Sequence, residues 1–136
     1  MQMKSLLRAL DRDPEFARSE YRLRLENGTE TTVRDYCVEL ADVAQKHRKR
    51  RHLYWGSIMF ARPDTGERGG AWLFTAKGEP NLLVTQELVE HIGDLDELAG
   101  ALFMVWGWLN VPKNRPDGHP YLIVSDPHRL TISLAD

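Results

Sequence analysis

Apolar positions recur along this chain with two different periods, and each period predicts its own kind of element. Met3, Leu6, Leu7 and Leu10 follow the i, i+3, i+4, i+7 spacing of a short amphipathic helix. Asp13-Pro14 then restarts the chain, with Asp as a cap and Pro in the first turn of a helical segment from Glu15 to Ser19. Tyr21, Leu23 and Leu25 alternate with Arg22 and Arg24, the period of two that marks a half-buried strand. Asn27-Gly28 follows, a pair suited to a tight turn, and Thr29 to Thr32 supply the returning strand.

From Thr32 the period lengthens again. Val33, Tyr36, Cys37, Leu40, Val43, Ala44 and His47 form a helical stripe, with Asp35, Glu39, Asp42 and Lys46 opposite it. Asp42 and Lys46 are spaced to pair, and the basic run from Lys46 to Arg51 would complement the dipole at the end of this helix. Leu53 to Ala61 reads as a strand, with Ala71 to Thr75 returning after a loop marked by Pro63-Asp64-Thr65-Gly66 and Gly69-Gly70. Leu82 to Val84 reads as another short strand. Thr85 begins a helix to Ile92 that Gly93 ends. Asp94 caps the most apolar stretch of the chain, Leu95 to Asn110, which is expected to be a buried helix that Pro112 stops. Tyr121 to Val124 and Leu130 to Leu134 are expected to pair as a terminal hairpin around Asp126-Pro127.

Strands in adjacent pairs separated by helices predict an α+β fold. It is a mostly antiparallel sheet built from hairpins and packed against three to four helices, in a single domain. At 136 residues, 42% of them hydrophobic, the chain can bury a core without staples. One cysteine, Cys37, excludes an internal disulfide and argues for a reducing compartment. The longest apolar run, Leu98 to Leu109, is well short of the ~20 residues that cross a bilayer. With no leader-like segment at the start, a soluble cytoplasmic protein is expected, with no membrane partner.

Charge changes this picture by adding polarity along the chain. The net charge of −2 divides into +4 over residues 1–62 and −6 over residues 63–136. Six acidic residues and no Lys or Arg lie between Glu79 and Glu97, wet helix faces or a dock for a basic partner. Lys46, Arg48, Lys49, Arg50 and Arg51 could neutralise phosphates, with Tyr21, Tyr54 or Trp55 to stack beside them. Against this, the sequence pI is near 6.2 and no nucleic-acid-binding motif appears. The plainer reading of the run is a solvated helix end.

On a helical wheel, Leu98, Ala99, Leu102, Val105, Trp106 and Leu109 share a broad core stripe. Met104 and Trp108 point the other way, beside Gly100 and Gly107. That second face is the expected partner interface: Gly100, Met104, Gly107 and Trp108. The partner would be another protein or a second copy of the chain. The leading expectation is therefore a small non-enzymatic interaction protein of adaptor, inhibitor or regulatory type. The alternative is a nucleic-acid binder using residues 46–51.

Catalytic chemistry finds little to stand on. Asp117, His119, Asp126 and His128 repeat an Asp-x-His pattern that could serve a small metal-dependent enzyme, but such residues are common in loops without metal. Cys37 sits on an apolar stripe and reads as a small core residue. Ser125, Asp126 and His128 are neighbours in sequence only, and no nucleophile elbow or phosphate loop occurs. No catalytic residue, metal site or cofactor is expected.

Overall fold

The computed structural model describes residues 3–25, 27–42, 51–64, 70–75, 80–110 and 120–134. Its N-terminal part follows the sequence pattern closely. α1 (Met3–Arg12) buries Leu6, Leu7 and Leu10. α2 (Pro14–Ala17) is capped by the Asp13 carboxylate, which accepts from the Glu15 N–H at 3.0 Å. β1 (Arg22–Arg24) and β2 (Glu30–Thr32) pair antiparallel around Gly28, whose φ of 84° suits the tight turn.

The expected helix from Thr32 to His47 is corrected over its described part, residues 32–42. Among its described residues α3 (Val33–Tyr36) is the α-helical part, capped by the Thr32 hydroxyl. The chain then extends into β3 (Cys37–Glu39) and closes in a 3-10 turn, Leu40–Asp42. Cys37 and Val38 are buried on opposite sides of β3, in different clusters. A strand covered on both faces loses its alternation, so its apolar residues fall into a helical stripe by coincidence. Residues 43–50, which hold the rest of that stripe and Lys46, lie outside the described residues.

The expected strand 53–61 is two strands. β4 (His52–Ser57) ends before Ile58, and β5 (Phe60–Pro63) enters a different sheet. β6 (Ala71–Phe74), β7 (Asn81–Val84) and α4 (Gln86–Ile92) follow as expected. Thr85 holds the cap position of α4 without a side-chain hydrogen bond, and Gly93 ends the helix with a φ of 94°.

The largest correction concerns Leu95 to Asn110. Asp94 does cap this stretch, accepting from the Asp96 N–H at 2.9 Å, but it caps only a 3-10 turn, Leu95–Leu98. Gly100 turns the chain with a φ of 82°. The most apolar part is β8 (Leu102–Gly107), followed after Trp108 by β9 (Leu109–Asn110). Phe103 and Val105 join one core cluster, whereas Met104 joins the other. Burial on both faces again explains the unbroken apolar run. The last strands, β10 (Tyr121–Val124) and β11 (Leu130–Ser133), belong to different sheets and do not form the expected hairpin.

Two sheets result, in the orders β5-β6-β7-β10-β9 and β11-β8-β4-β3, with β1-β2 apart. They are mixed: β3 with β4 and β7 with β10 are parallel, and the other described pairs antiparallel. The mixed α and β content agrees with expectation, and most described pairs are antiparallel, but the sheets are not built from hairpins alone, since two pairs are parallel. The inner faces of the two sheets meet through Tyr54, Phe103, Val105, Leu73, Leu82, Val84, Leu122 and Val124, with Leu88 of α4 joining them. The outer face of the four-stranded sheet is covered by α1, whose leucines pack with Val33, Cys37, Trp55 and Met104. Each such leucine contributes about 2 kcal/mol by leaving water. No described helix is long and apolar enough to cross a membrane.

Candidate functional site

Strand register gathers four charged or aromatic groups at one end of β8. β4 pairs antiparallel with β8, setting Leu53 opposite Trp106 and His52 opposite Gly107. Arg51 precedes His52 and so arrives beside the end of β8. On the other side, β11 sets Leu130 opposite Val105, and Arg129 therefore arrives beside Trp106. Both guanidiniums lie 4.5 Å from the Trp106 ring centroid, and that of Arg51 is 5.6 Å from Trp108. Two distances of 4.5 Å to one centroid hold the two cations within about 9 Å of each other.

Their compensation is incomplete. Arg129 meets the Asp126 carboxylate at 3.6 Å, whereas among the described residues Arg51 pairs with no carboxylate. Ring contact helps to hold each cation, by about 0.5–2 kcal/mol, but does not neutralise it. A shallow groove of about 230 Å³ runs along this cluster between Arg51, Trp108, Asn110, Ile123, Ser125 and Arg129. Trp108 is 43% exposed there, an unusual state for so large an apolar side chain. A second groove of about 590 Å³ uses Trp106, His128 and Arg129 with Arg24 and Tyr36.

Of the interface expected on a helix, the structure keeps only part together. Met104 is fully buried under α1, and Gly100 lies in the turn before β8, donating its N–H to the Ile58 carbonyl at 2.8 Å. Gly107 and Trp108 stay at the end of β8, on the groove. Of the basic run, Arg51 belongs to the cluster, while Lys46, Arg48, Lys49 and Arg50 lie outside the described residues. Arg129 and Trp106 are the members that sequence reasoning missed. Trp106 falls on the core stripe of the helix expected from periodicity, and only the β11–β8 register brings Arg129 to it.

The remaining candidates resolve locally. Asp126 caps a 3-10 turn, Pro127–Arg129, by accepting from the His128 N–H at 2.9 Å. Asp117 and His119 lie outside the described residues, and among the described residues no three His, Cys, Asp or Glu side chains gather as metal ligands. Cys37 is buried between β3 and α1, and desolvation pushes its thiol up to about 12, the reverse of an activated nucleophile. Burial likewise raises the Tyr54 phenol to about 12.

The outer face of the five-stranded sheet is the other open feature. Two rows of side chains cross it. Phe60, Phe74, Asn81, Tyr121 and Asn110 form one, and Arg62, Trp72, Leu83 and Ile123 form the second. Phe60 and Phe74 stack at 4.7 Å, Trp72 meets Tyr121 edge-on at 5.9 Å, and Arg62 lies 5.0 Å over Phe60. One step beyond the Leu122–Leu109 pair, the antiparallel register sets Trp108 opposite Ile123, so the second row ends at the arginine cluster. No family model matches this chain, and comparison with curated proteins and with solved structures finds no match.

Proposed function

We propose that this chain is a non-enzymatic binding protein whose partner carries phosphates or a comparable density of negative charge. Its contact site is Arg51, Trp106, Trp108 and Arg129. The observation that carries this reading is the pair of guanidiniums at 4.5 Å on one tryptophan, of which Arg129 alone meets a carboxylate, that of Asp126, among the described residues. Two like charges held this close repel one another, and an anion in the groove relieves that repulsion while accepting hydrogen bonds from both. The acidity of the whole chain does not oppose this, because carboxylates concentrate elsewhere. Residues 86–98, on α4 and the turn after it, hold five acidic side chains and no Lys or Arg.

Inorganic polyphosphate is the direct probe. At about 50 mM salt it binds the wild type, and affinity falls steeply towards 200 mM as counterions are released. The Arg51→Ala/Arg129→Ala variant loses that binding and keeps its thermal unfolding transition. Absence of binding by the wild type, or equal binding by the variant, overturns the reading.

A second reading is favoured by the exposure of Trp108 and Ile123, 43% and 42%. Here the partner is a second copy of the chain. It predicts a molar mass in solution that rises with concentration and reverts to the monomer value in Trp108→Glu.

A further inference from the structure

We propose that the anionic partner is a single-stranded nucleic acid lying across the outer face of the five-stranded sheet. Its bases stack on Trp72, Tyr121 and the Phe60–Phe74 pair, and its phosphates run towards Arg62 at one edge and Arg51 and Arg129 at the other. The inference rests on the reading above and deepens it by naming the partner.

Three observations carry it. The first is the composition of the face. Its inward neighbours Leu73, Leu82, Val84, Leu122 and Val124 are buried, so the core does not need the outward residues of β6, β7 and β10, yet apart from Asn81 these are Trp72, Phe74, Leu83, Tyr121 and Ile123. Water-facing positions on a sheet are ordinarily polar. The second is charge. In a chain with 20 Asp and Glu, neither row contains a carboxylate, and the face's charged side chain is Arg62. A face meant for solvent alone would carry its share of acids; a face that meets phosphates excludes them. The third is continuity. Ile123 and Asn110 belong to the rows and also line the groove of Arg51, Trp108 and Arg129, so stacking platform and cation cluster form one surface.

The chemistry of each half selects the same partner. Aromatic side chains accept any base that exposes its π-face, and guanidiniums take the phosphates that link those bases. In a duplex the bases cover one another, leaving no ring free for Trp72 or Tyr121, and so a single strand fits where a duplex does not. Free phosphate would use the arginines and leave the rings idle.

The test compares two polyanions on the same protein by fluorescence anisotropy. One is a labelled oligothymidylate or oligouridylate of about ten nucleotides, within the length range such sites cover; the other is inorganic polyphosphate. The oligonucleotide is expected to bind more tightly than polyphosphate. Trp72→Ala and Tyr121→Ala each weaken it by about tenfold or more while leaving polyphosphate unchanged. Tyr121→Phe, which keeps the ring, retains affinity. Should either alanine variant unfold, Phe60→Ala, at a 39% exposed position, tests the same face. If oligonucleotide and polyphosphate bind alike and the ring variants change neither, the nucleic-acid inference falls while the arginine site stands. If neither polyanion binds, both fall. A molar mass that rises with concentration and is lowered by the ring variants, with no oligonucleotide binding, assigns the face to a second copy and overturns the inference.

Discussion

Met104 and Trp108 sit four residues apart in opposite surroundings. Met104 is fully enclosed under α1, whereas Trp108 is 43% exposed at the sheet junction. Truncation therefore has opposite consequences. Met104→Ala leaves a cavity under α1 and is expected to cost about 2–4 kcal/mol in urea unfolding. Trp108→Ala changes stability by less than about 1 kcal/mol, as exposed substitutions do. A smaller loss for Met104 than for Trp108 would contradict this packing. The two buried acids Cys37 and Tyr54 make a second residue-level prediction. Folding raises the thiol from 9.0 and the phenol from 10.0, each to about 12. The folded state thus holds these protons more tightly than the unfolded chain. The stability this supplies is complete below pH 9 and is lost as pH rises from about 9 to 12. Midpoint urea concentrations measured across that range should fall, and fall less in Cys37→Ala.

At the scale of elements, local chemistry was legible in the sequence and burial on two faces was not. Asp13, Thr32 and Asp94 act as caps where the residue types said they would, and Gly28 and Gly93 take the positive φ angles expected of them. The β1–β2 hairpin, half exposed, keeps a readable alternation. β3 and β8 do not, because α1 covers one side of their sheet and the five-stranded sheet covers the other. Periodicity reports which side of an element faces water, and it carries no signal where neither side does. The same limit hid the site, since Arg129 and Trp106 meet only through the pairing of β8 with β11. Gly70 illustrates an element-scale constraint that remains visible. Its φ is 88°, its N–H donates to the Gln86 side chain at 3.0 Å, and a Cβ there would run into the Val84 carbonyl oxygen. Gly70→Ala is expected to destabilise by more than about 2 kcal/mol, read from the shift of the unfolding midpoint.

For the whole molecule, the decisive feature is how the chain alternates between sheets. β4 lies in the four-stranded sheet, β5 to β7 in the five-stranded one, β8 returns, β9 and β10 cross again, and β11 returns once more. Neither sheet can be completed before the other. Unfolding is therefore expected to be a single cooperative transition, with near- and far-ultraviolet circular dichroism tracing one curve. Two separated transitions would show the sheets to be independent. The crossing of β8 into β9 also places Trp108 at the seam, where the open sheet face meets the arginine pair. On the proposed function, this seam binds a charged strand. The most direct measurement is the salt dependence of single-stranded oligonucleotide binding to wild type and to Arg51→Ala/Arg129→Ala. The slope of log affinity against log salt is expected to shrink by about 0.7 for each arginine removed, with affinity lost near 200 mM salt. An unchanged slope and affinity in the double variant would contradict it.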